Sequence, residues 1–379
     1  MDLHDSPEDA AFRAGARAWL AGHVGPYRVD PAGPSLVFAD VSDPGFVARG
    51  RAWQRCLYDA GYAGLGWPEE YGGRGLPPSR QLVWAEEAAA AGAPPPVNLI
   101  GEAVAGPALL ACGSPEQRRR WLPPMLRGEA VWCQLFSEPE AGSDLAAVTT
   151  TAEPDGGGWV VTGRKSWVSA AHYADLGLLL ARDGSGGGLT CLVLDMGSPG
   201  VRVRPRRQMT GGAAFADVDV ERARVPPSFL VGAARGGRAV AGAALAAERL
   251  HLGLGVARVA AFTDRILADL RSRPTAADPG VRQQAARLLV EAQTLRHLGR
   301  RAVSGTGPAA EVLKLASSRL AQRTDEMLDA LRGPGAMLHD EYTLAQLWSP
   351  AVGIGGGTDE VMRDILAERV LKLPREPRP

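Results

Sequence analysis

The residues of this chain best suited to chemistry are few and widely spaced: Glu248 inside an apolar helical pattern, the run from Ser137 to Asp144, Trp167 near the end of a β-rich stretch, and the triplet Gly355-Gly356-Gly357 ahead of Thr358. At 100° per residue, Ala241, Ala244, Leu245, Glu248 and Leu252 fall on one stripe. A lone carboxylate on an apolar stripe is costly to bury and must be neutralised, paired or put to work. A desolvated carboxylate of raised pKa suits removal of a weakly acidic carbon-bound proton. An ion pair with Arg249 that serves only the fold is the alternative. Without side chains at 355–357, a backbone N–H can approach a carbonyl oxygen closely, an oxyanion-type contact; a flexible turn is the plainer reading. Thr358 reads as the N-cap of a last helix, with Asp359 and Glu360 in its first turn and Val361, Ile365 and Leu366 facing inward.

Other chemistries find little support. Cys56, Cys112, Cys133 and Cys191 are far apart, with no Cys-x-x-Cys pair or clustered His for a zinc site, so they read as packed thiols in a reducing compartment. Forty-two basic residues balance forty-two acidic ones, so no long-range positive field draws in nucleic acid or an anionic membrane. No uninterrupted apolar run approaches membrane-spanning length, and MDLHDSPEDA lacks the layout of a signal peptide; a cytoplasmic location is expected. Arg118 to Arg120 read as a solvated helix face.

The elements that must position these residues come in three blocks. Residues 1–128 read as a helical domain, opening with Ser6 as N-cap, Pro7 at the first helical position and Asp9 where a capping-box acid would sit. From 129 to 235 the chain turns to short β-rich runs such as WVVTG, KSWVS, LGLLLAR and LTCLVLDM. In AFADVDVE, Ala216, Val218 and Val220 alternate with Phe215, Asp217, Asp219 and Glu221, the period of a strand with two unlike faces. Strands this short suggest a small antiparallel barrel or sandwich. The clusters GGRG (72–75) and GSGGG (184–188) lack the strand, GxGxxG, helix order of a dinucleotide site and read as turns. From 236 to 379 long helical stretches at 237–272, 279–303, 307–332 and 359–371, with breaks at GTGP and GPG, predict a four-helix bundle.

The linked motifs Ser137 to Asp144 (SEPEAGSD), Thr150 to Ala152 and Gly163 to Ser169 (GRKSWVS), with PGVRVRPRRQMTGG, ARVPPSFLVG and the closing GGGTDEVMRDILAERVLKLPR, resemble the acyl-CoA dehydrogenase family over nearly the whole chain. The resemblance implies an α+β multidomain fold of an N-terminal helical domain, a middle antiparallel β-barrel and a C-terminal four-helix bundle, with FAD held between barrel and bundle. It implies cofactor contacts from Gln134, Phe136, Ser137, Trp167, Ser169, Thr358 and Glu360, and substrate contacts from Ser143, Arg249 and Gly357. Trp167 would lie against the flavin ring and Ser169 would bond its edge. A hydride-accepting flavin needs such a dry slot with an aromatic wall and donors aimed at its polar edge.

Many members of the family carry the base beside the Gly-Thr of the closing motif, where this chain has Gly356. A second arrangement, in members acting on branched, long or bulky acyl chains, places it at the position of Glu248. The resemblance thus implies FAD-dependent α,β-dehydrogenation of a bulky, branched or long acyl-CoA, with electrons passed to an electron-transfer flavoprotein. The alternatives on the same fold are an acyl group on a carrier protein, flavin oxygenation, and a non-catalytic subunit. The family's Arg-x-x-Phe-Gly element is replaced here by LRSRPTAADPG. The expected assembly is a homo-oligomer or a heterotetramer with a related chain, and no metal is expected.

Overall fold

A computed structural model describes residues 5–28, 43, 45–303, 309–338 and 340–375, without the side chains of 252–254, 303, 309, 310, 330 and 341. The GTGP break (305–308) and the side chain of Leu252 therefore lie outside the described residues. Among the described residues five α-helices precede the sheet: α1 (Pro7–His23), α2 (Phe46–Asp59), α3 (Pro78–Ala90), α4 (Gly106–Cys112) and α5 (Pro115–Leu126). Ser6 caps α1 as expected, its Oγ accepting from the Asp9 N–H at 3.1 Å. Ser114 and Gln117 close a full capping box on α5.

Eight strands follow: β1 (Trp132–Leu135), β2 (Thr151–Pro154), β3 (Trp159–Ser169), β4 (Leu176–Asp183), β5 (Leu189–Asp195), β6 (Val201–Arg206), β7 (Phe215–Val225) and β8 (Leu230–Val231). They form one sheet in the order β6-β7-β3-β2-β4-β5-β8, with β1 also paired to β4. The expected all-antiparallel pairing is corrected at two places, since β1 and β2 both run parallel to β4. β3 lies in the chain between both of these strands and β4, which provides the longer connection that parallel neighbours need. The β7 alternation is borne out: Ala216, Val218 and Val220 enter the sheet core with Val161, Val168, Leu179 and Leu192. The opposite face is a charge ladder, with Asp217 and Asp219 paired to Arg164, Arg204 and Arg206 and Glu221 to Arg202. GSGGG is the β4–β5 turn, with Gly186, Gly187 and Gly188 all at positive φ.

The remaining helices are α6 (Gly237–Arg271), α7 (Pro279–Val303), α8 (Ala309–Arg332), α9 (Glu341–Ile354) and α10 (Asp359–Ile365). The expected fourth long helix at 359–371 is α10, only 7 residues long, continued as a π turn at Leu366–Val370. The sequence reading had no helix at α9, where Pro350 interrupts the helical pattern. Val361, Ile365 and Leu366 are only half-buried, and the residue that α10 buries deepest is Met362, 1% exposed.

Contacts group the chain into two compact units. The bundle unit comprises Met1–Leu36, Leu76–Pro94 and Arg249–Pro379; the sheet unit comprises Val37–Gly75 and Pro95–Glu248. The division falls inside α6, between Glu248 and Arg249. Val256, Leu267, Leu270, Leu288, Leu295, Leu313 and Leu320 build one core in the bundle unit, where Arg13 of α1 also pairs with Glu86 and Glu87 of α3. Among the described residues α6 holds an 18-residue window of mean hydropathy 1.2, long and apolar enough by length and composition to cross a membrane, but charged residues such as Glu248, Arg249 and Arg258 interrupt the apolar run of the helix. Its hydropathy comes chiefly from leucine and valine, with alanine adding to it, and it supplies Val256, Leu267 and Leu270 to the bundle core.

In the sheet unit, Asn98 sets where β1 begins. Its fully buried amide donates to the Met125 and Ala130 carbonyls at 2.9 and 2.8 Å and accepts from the Trp132 N–H at 2.8 Å. Asn98→Ala would leave these buried groups short of partners, at about 1–3 kcal/mol for each one orphaned. A loss of about 3 kcal/mol in urea unfolding is expected, and a midpoint within error of wild type would remove Asn98 as the anchor of β1.

Candidate active site

The sequence-predicted residues of the sheet unit gather around the exit of β1 and the end of β3. Gln134 lies in β1, parallel to Leu178 of β4, and it and Ser137 are half-buried. Phe136 is 2% exposed, so its ring packs inward, and its carbonyl accepts from Lys165 at 3.0 Å. A loop then runs from Glu138 through exposed Ser143 and Asp144 to Thr150, with Asp144 capping the turn Leu145–Ala147.

This loop is fixed from below by a buried ion pair that the sequence reading did not single out. Lys165 is 0% exposed, and its Nζ donates to Glu138 Oε1 at 2.9 Å, the Phe136 carbonyl at 3.0 Å and the Leu180 carbonyl at 2.7 Å. Glu138 in turn accepts from the Thr149 N–H and hydroxyl, both at 2.7 Å, and from the Thr150 N–H at 2.9 Å. Burial alone would raise the Glu138 pKa, but these donors, Lys165 foremost, hold it at about 2. Burial draws Lys165 down to about 8 against the pull of Glu138. The signal in the sequence was the Glu and Lys of the two motifs, whose spacing does not show that they meet.

Two residues beyond Lys165, β3 breaks register against β7 between Lys165 and Val168. Trp167 sits in this bulge at φ +58, a left-handed backbone that a bulky residue adopts only at a cost of about 1–3 kcal/mol. The strained turn sends the indole outward, 55% exposed, where Phe215 meets it edge-on at 5.9 Å and the Arg206 guanidinium lies over its face at 4.5 Å. Trp167 is thus not packed into the sheet core. Half-buried Ser169, two residues on, pairs in register with Phe215. An exposed aromatic face and a half-buried hydroxyl two residues on are groups of the types that suit the ring and polar edge of a flavin. Arg206 and Phe215 were missed because they lie on other strands.

On α6, Ala241 and Ala244 are buried while Leu245 and Glu248 are half-buried, so the described part of the stripe is at least half-buried and its acid is as shielded as its leucine. Arg249 is half-buried and belongs to the bundle unit. His251 is kept neutral, burial and the charge of Arg258 pulling its pKa to about 4.

In the bundle unit, Gly355 ends α9, and Gly356 and Gly357 follow at φ +70 and +94, conformations that favour glycine. Thr358 caps α10, its Oγ1 accepting from the Val361 N–H at 3.2 Å, as the sequence indicates. Asp359 is not a solvent-facing first-turn acid: it is buried, taking bonds from Lys314 Nζ at 2.6 Å and from the Ser318 hydroxyl at 2.9 Å. Lys314 also donates to the Gly353 carbonyl at 2.9 Å, so one ammonium grips both ends of the glycine loop. Glu360 is exposed and pairs with Arg363 at 3.1 Å. In the replaced LRSRPTAADPG segment, Arg273 pairs with Asp269 at 3.1 Å ahead of the turn Pro274–Ala277.

Comparison with known proteins places these features in context. Residues 6–129, 133–222 and 235–371 match, in order, the N-terminal, middle and C-terminal domains described for acyl-CoA dehydrogenases. The chain is 39% identical to the acyl-CoA dehydrogenase IpdE1 of Mycobacterium tuberculosis, over 96% of this chain and 98% of that protein. Among solved structures it resembles the Tcur3481-Tcur3483 steroid ACAD at 27% identity and TM-score 0.86, covering 99% of this chain and 100% of that one. It also resembles a chain of the ChsE4-ChsE5 complex from Mycobacterium tuberculosis at 27% identity and TM-score 0.83, over 100% of both.

The Lys165–Glu138 pair makes a stability prediction. Glu138→Gln leaves a buried ammonium without its counter-charge and is expected to cost about 3–5 kcal/mol at pH 7. Because the folded-state pKa of Glu138, about 2, lies below the ordinary 4.5, its contribution is complete above about pH 4.5 and fades as pH falls toward 2. Wild type and variant should therefore converge in acid unfolding curves; a gap that stays constant from pH 6 to pH 2.5 would contradict the assignment.

Proposed function

The chain belongs to the acyl-CoA dehydrogenase family, and we propose that it is an oxidoreductase that introduces an α,β double bond into a bulky, branched or long acyl-CoA thioester, using FAD. The observation that carries the cofactor reading is the outward Trp167 beside Ser169, held at a strained positive φ with its indole still more than half exposed. FAD bound there would supply the hydride-accepting chemistry needed at the β carbon.

The protein's own residues do the rest. Glu248, the only acid on its stripe of α6, takes the α proton. The side-chain-free Gly356 and Gly357, held open at positive φ, offer backbone N–H groups to the thioester oxygen, with Arg249 and Ser143 as further substrate contacts. Trp167, Ser169, Gln134, Ser137, the Phe136 backbone and Thr358 bind the cofactor. Glu360, exposed and paired to Arg363, contributes through the first turn of α10.

Glycine at position 356 in place of the commoner base supports a substrate larger than a short straight chain, and so does the likeness to a steroid ACAD. The replaced Arg-x-x-Phe-Gly segment, with Arg273 turned to Asp269, and the likeness to one chain of a two-protein complex support assembly with a related partner chain. Electrons leave to an electron-transfer flavoprotein, and the enzyme works in the cytoplasm.

An anaerobic titration with a panel of acyl-CoA esters tests this, following the oxidised flavin band. A bulky ester should bleach the wild-type flavin, while Glu248→Gln, still holding FAD, should react 10²–10⁴-fold more slowly, the usual order for a lost general base. Butyryl-CoA as the best substrate would sink the substrate reading. Full-rate bleaching by the variant would remove Glu248 as the base.

A further inference from the structure

Arg206 ends β6, and the sheet places it in one cross-strand row with Phe215 of β7 and Ser169 of β3. Its Nη2 donates to Asp217 Oδ1 at 2.8 Å and Oδ2 at 3.0 Å and to Ser166 Oγ at 3.1 Å. Ser166 Oγ donates to Asp217 Oδ1 at 2.7 Å, closing a three-residue ring of bonds on two neighbouring strands and β3. Burial would lift the Asp217 carboxyl, but Ser166 and Arg206 hold it below its ordinary range, so the anchor is ionised at neutral pH. The guanidinium is therefore a fixed cation, 4.5 Å from the centre of the Trp167 ring.

That placement has an electronic consequence. With Arg206 over one face and Phe215 in a T-shaped contact, the indole is still 55% exposed, so much of its surface away from Arg206 stays open. A cation held against one side of a π-system draws electron density toward itself and leaves the far side less electron-rich. Such a face favours an electron-rich partner over an electron-poor one. The two-electron-reduced isoalloxazine is electron-rich, and the oxidised ring is electron-poor.

We infer that Arg206 is a positioning residue that clamps Trp167 in its outward pose and, through it, biases the site toward reduced flavin. The inference rests on the reading that the open face of Trp167 meets the flavin. A preference in binding for one redox form is, by linkage, a shift in midpoint potential: each tenfold in the ratio of affinities is about 30 mV for a two-electron couple. Arg206→Met, which keeps the stem and removes the charge and the planar group, should lower that ratio about tenfold and move the flavin potential down by the corresponding amount.

The experiment has two arms. In the FAD-loaded protein, potentiometric titration should give a lower potential for Arg206→Met and a smaller drop for Arg206→Lys, which keeps the charge and loses the stack. Arg206→Met at the wild-type potential would overturn the electronic part. In the FAD-free protein, acrylamide quenching of Trp167 emission, isolated by subtracting Trp167→Phe, should rise in both variants. Unchanged quenching would overturn the clamp. Arg206→Lys carries both readouts if Arg206→Met does not fold. A Trp167→Phe protein with wild-type FAD affinity and potential would instead bring down the reading that Trp167 faces the flavin, whatever the quenching arm reports about the clamp.

Discussion

The sheet unit depends on a single ammonium group. Lys165 has three donors and spends all three on acceptors from three different segments: the exit of β1, the acid that opens the 138–150 loop, and the interior of β4. A guanidinium could not make the same three contacts from one point, because its donors lie in a plane and fan outward. The buried charge is tolerable only because Glu138 is itself saturated with donors from Thr149 and Thr150. Ser137 follows directly from the first of these attachments, and the Trp167 bulge lies two residues beyond the lysine, so both inherit their positions from it.

The glycine loop of the bundle unit is built on the same principle with different parts. Lys314 bonds the carbonyl of Gly353 and the carboxylate of Asp359, so the ends of the loop are pinned while Gly356 and Gly357 keep backbone freedom between them. Thr358 supplies the cap that starts α10. The rigid part of the loop is therefore in its stems and the permissive part is at its centre, a division suited to a backbone that must meet an oxygen atom closely.

Sequence reasoning reached what is local. The cap at Ser6, the cap at Thr358, the alternation in β7 and the helical runs of α6, α7 and α8 all follow from periods and capping chemistry that operate over a few residues. It missed α9, whose Pro350 and neighbouring glycines obscure the period, and it could not see that β1 and β2 run parallel to β4 along the edge that β5 leaves open, because strand neighbours are set by crossovers and not by pattern. In the candidate site, Trp167, Ser169 and Glu248 were legible by motif and phase. Arg206, Phe215 and Lys314 were not, since each acts on a residue distant in sequence, and Asp359 looked like an ordinary first-turn acid until Lys314 and Ser318 were found on it. Phe136 shows the converse limit, for it is named by its motif position while its ring is turned away from solvent.

The scarcity of lysine has a practical meaning of its own. Of the three lysines in the chain, Lys165 is sealed in the sheet unit, Lys314 in the bundle unit, and Lys372 is exposed. A buried ammonium is closed to electrophiles until the structure around it opens, whereas the thirty-nine arginines stay protonated and unreactive throughout. The two compact units thus each contain one latent amine, and acylation by a small activated ester would time the opening of each separately, with Lys372 as the reference that reacts at once.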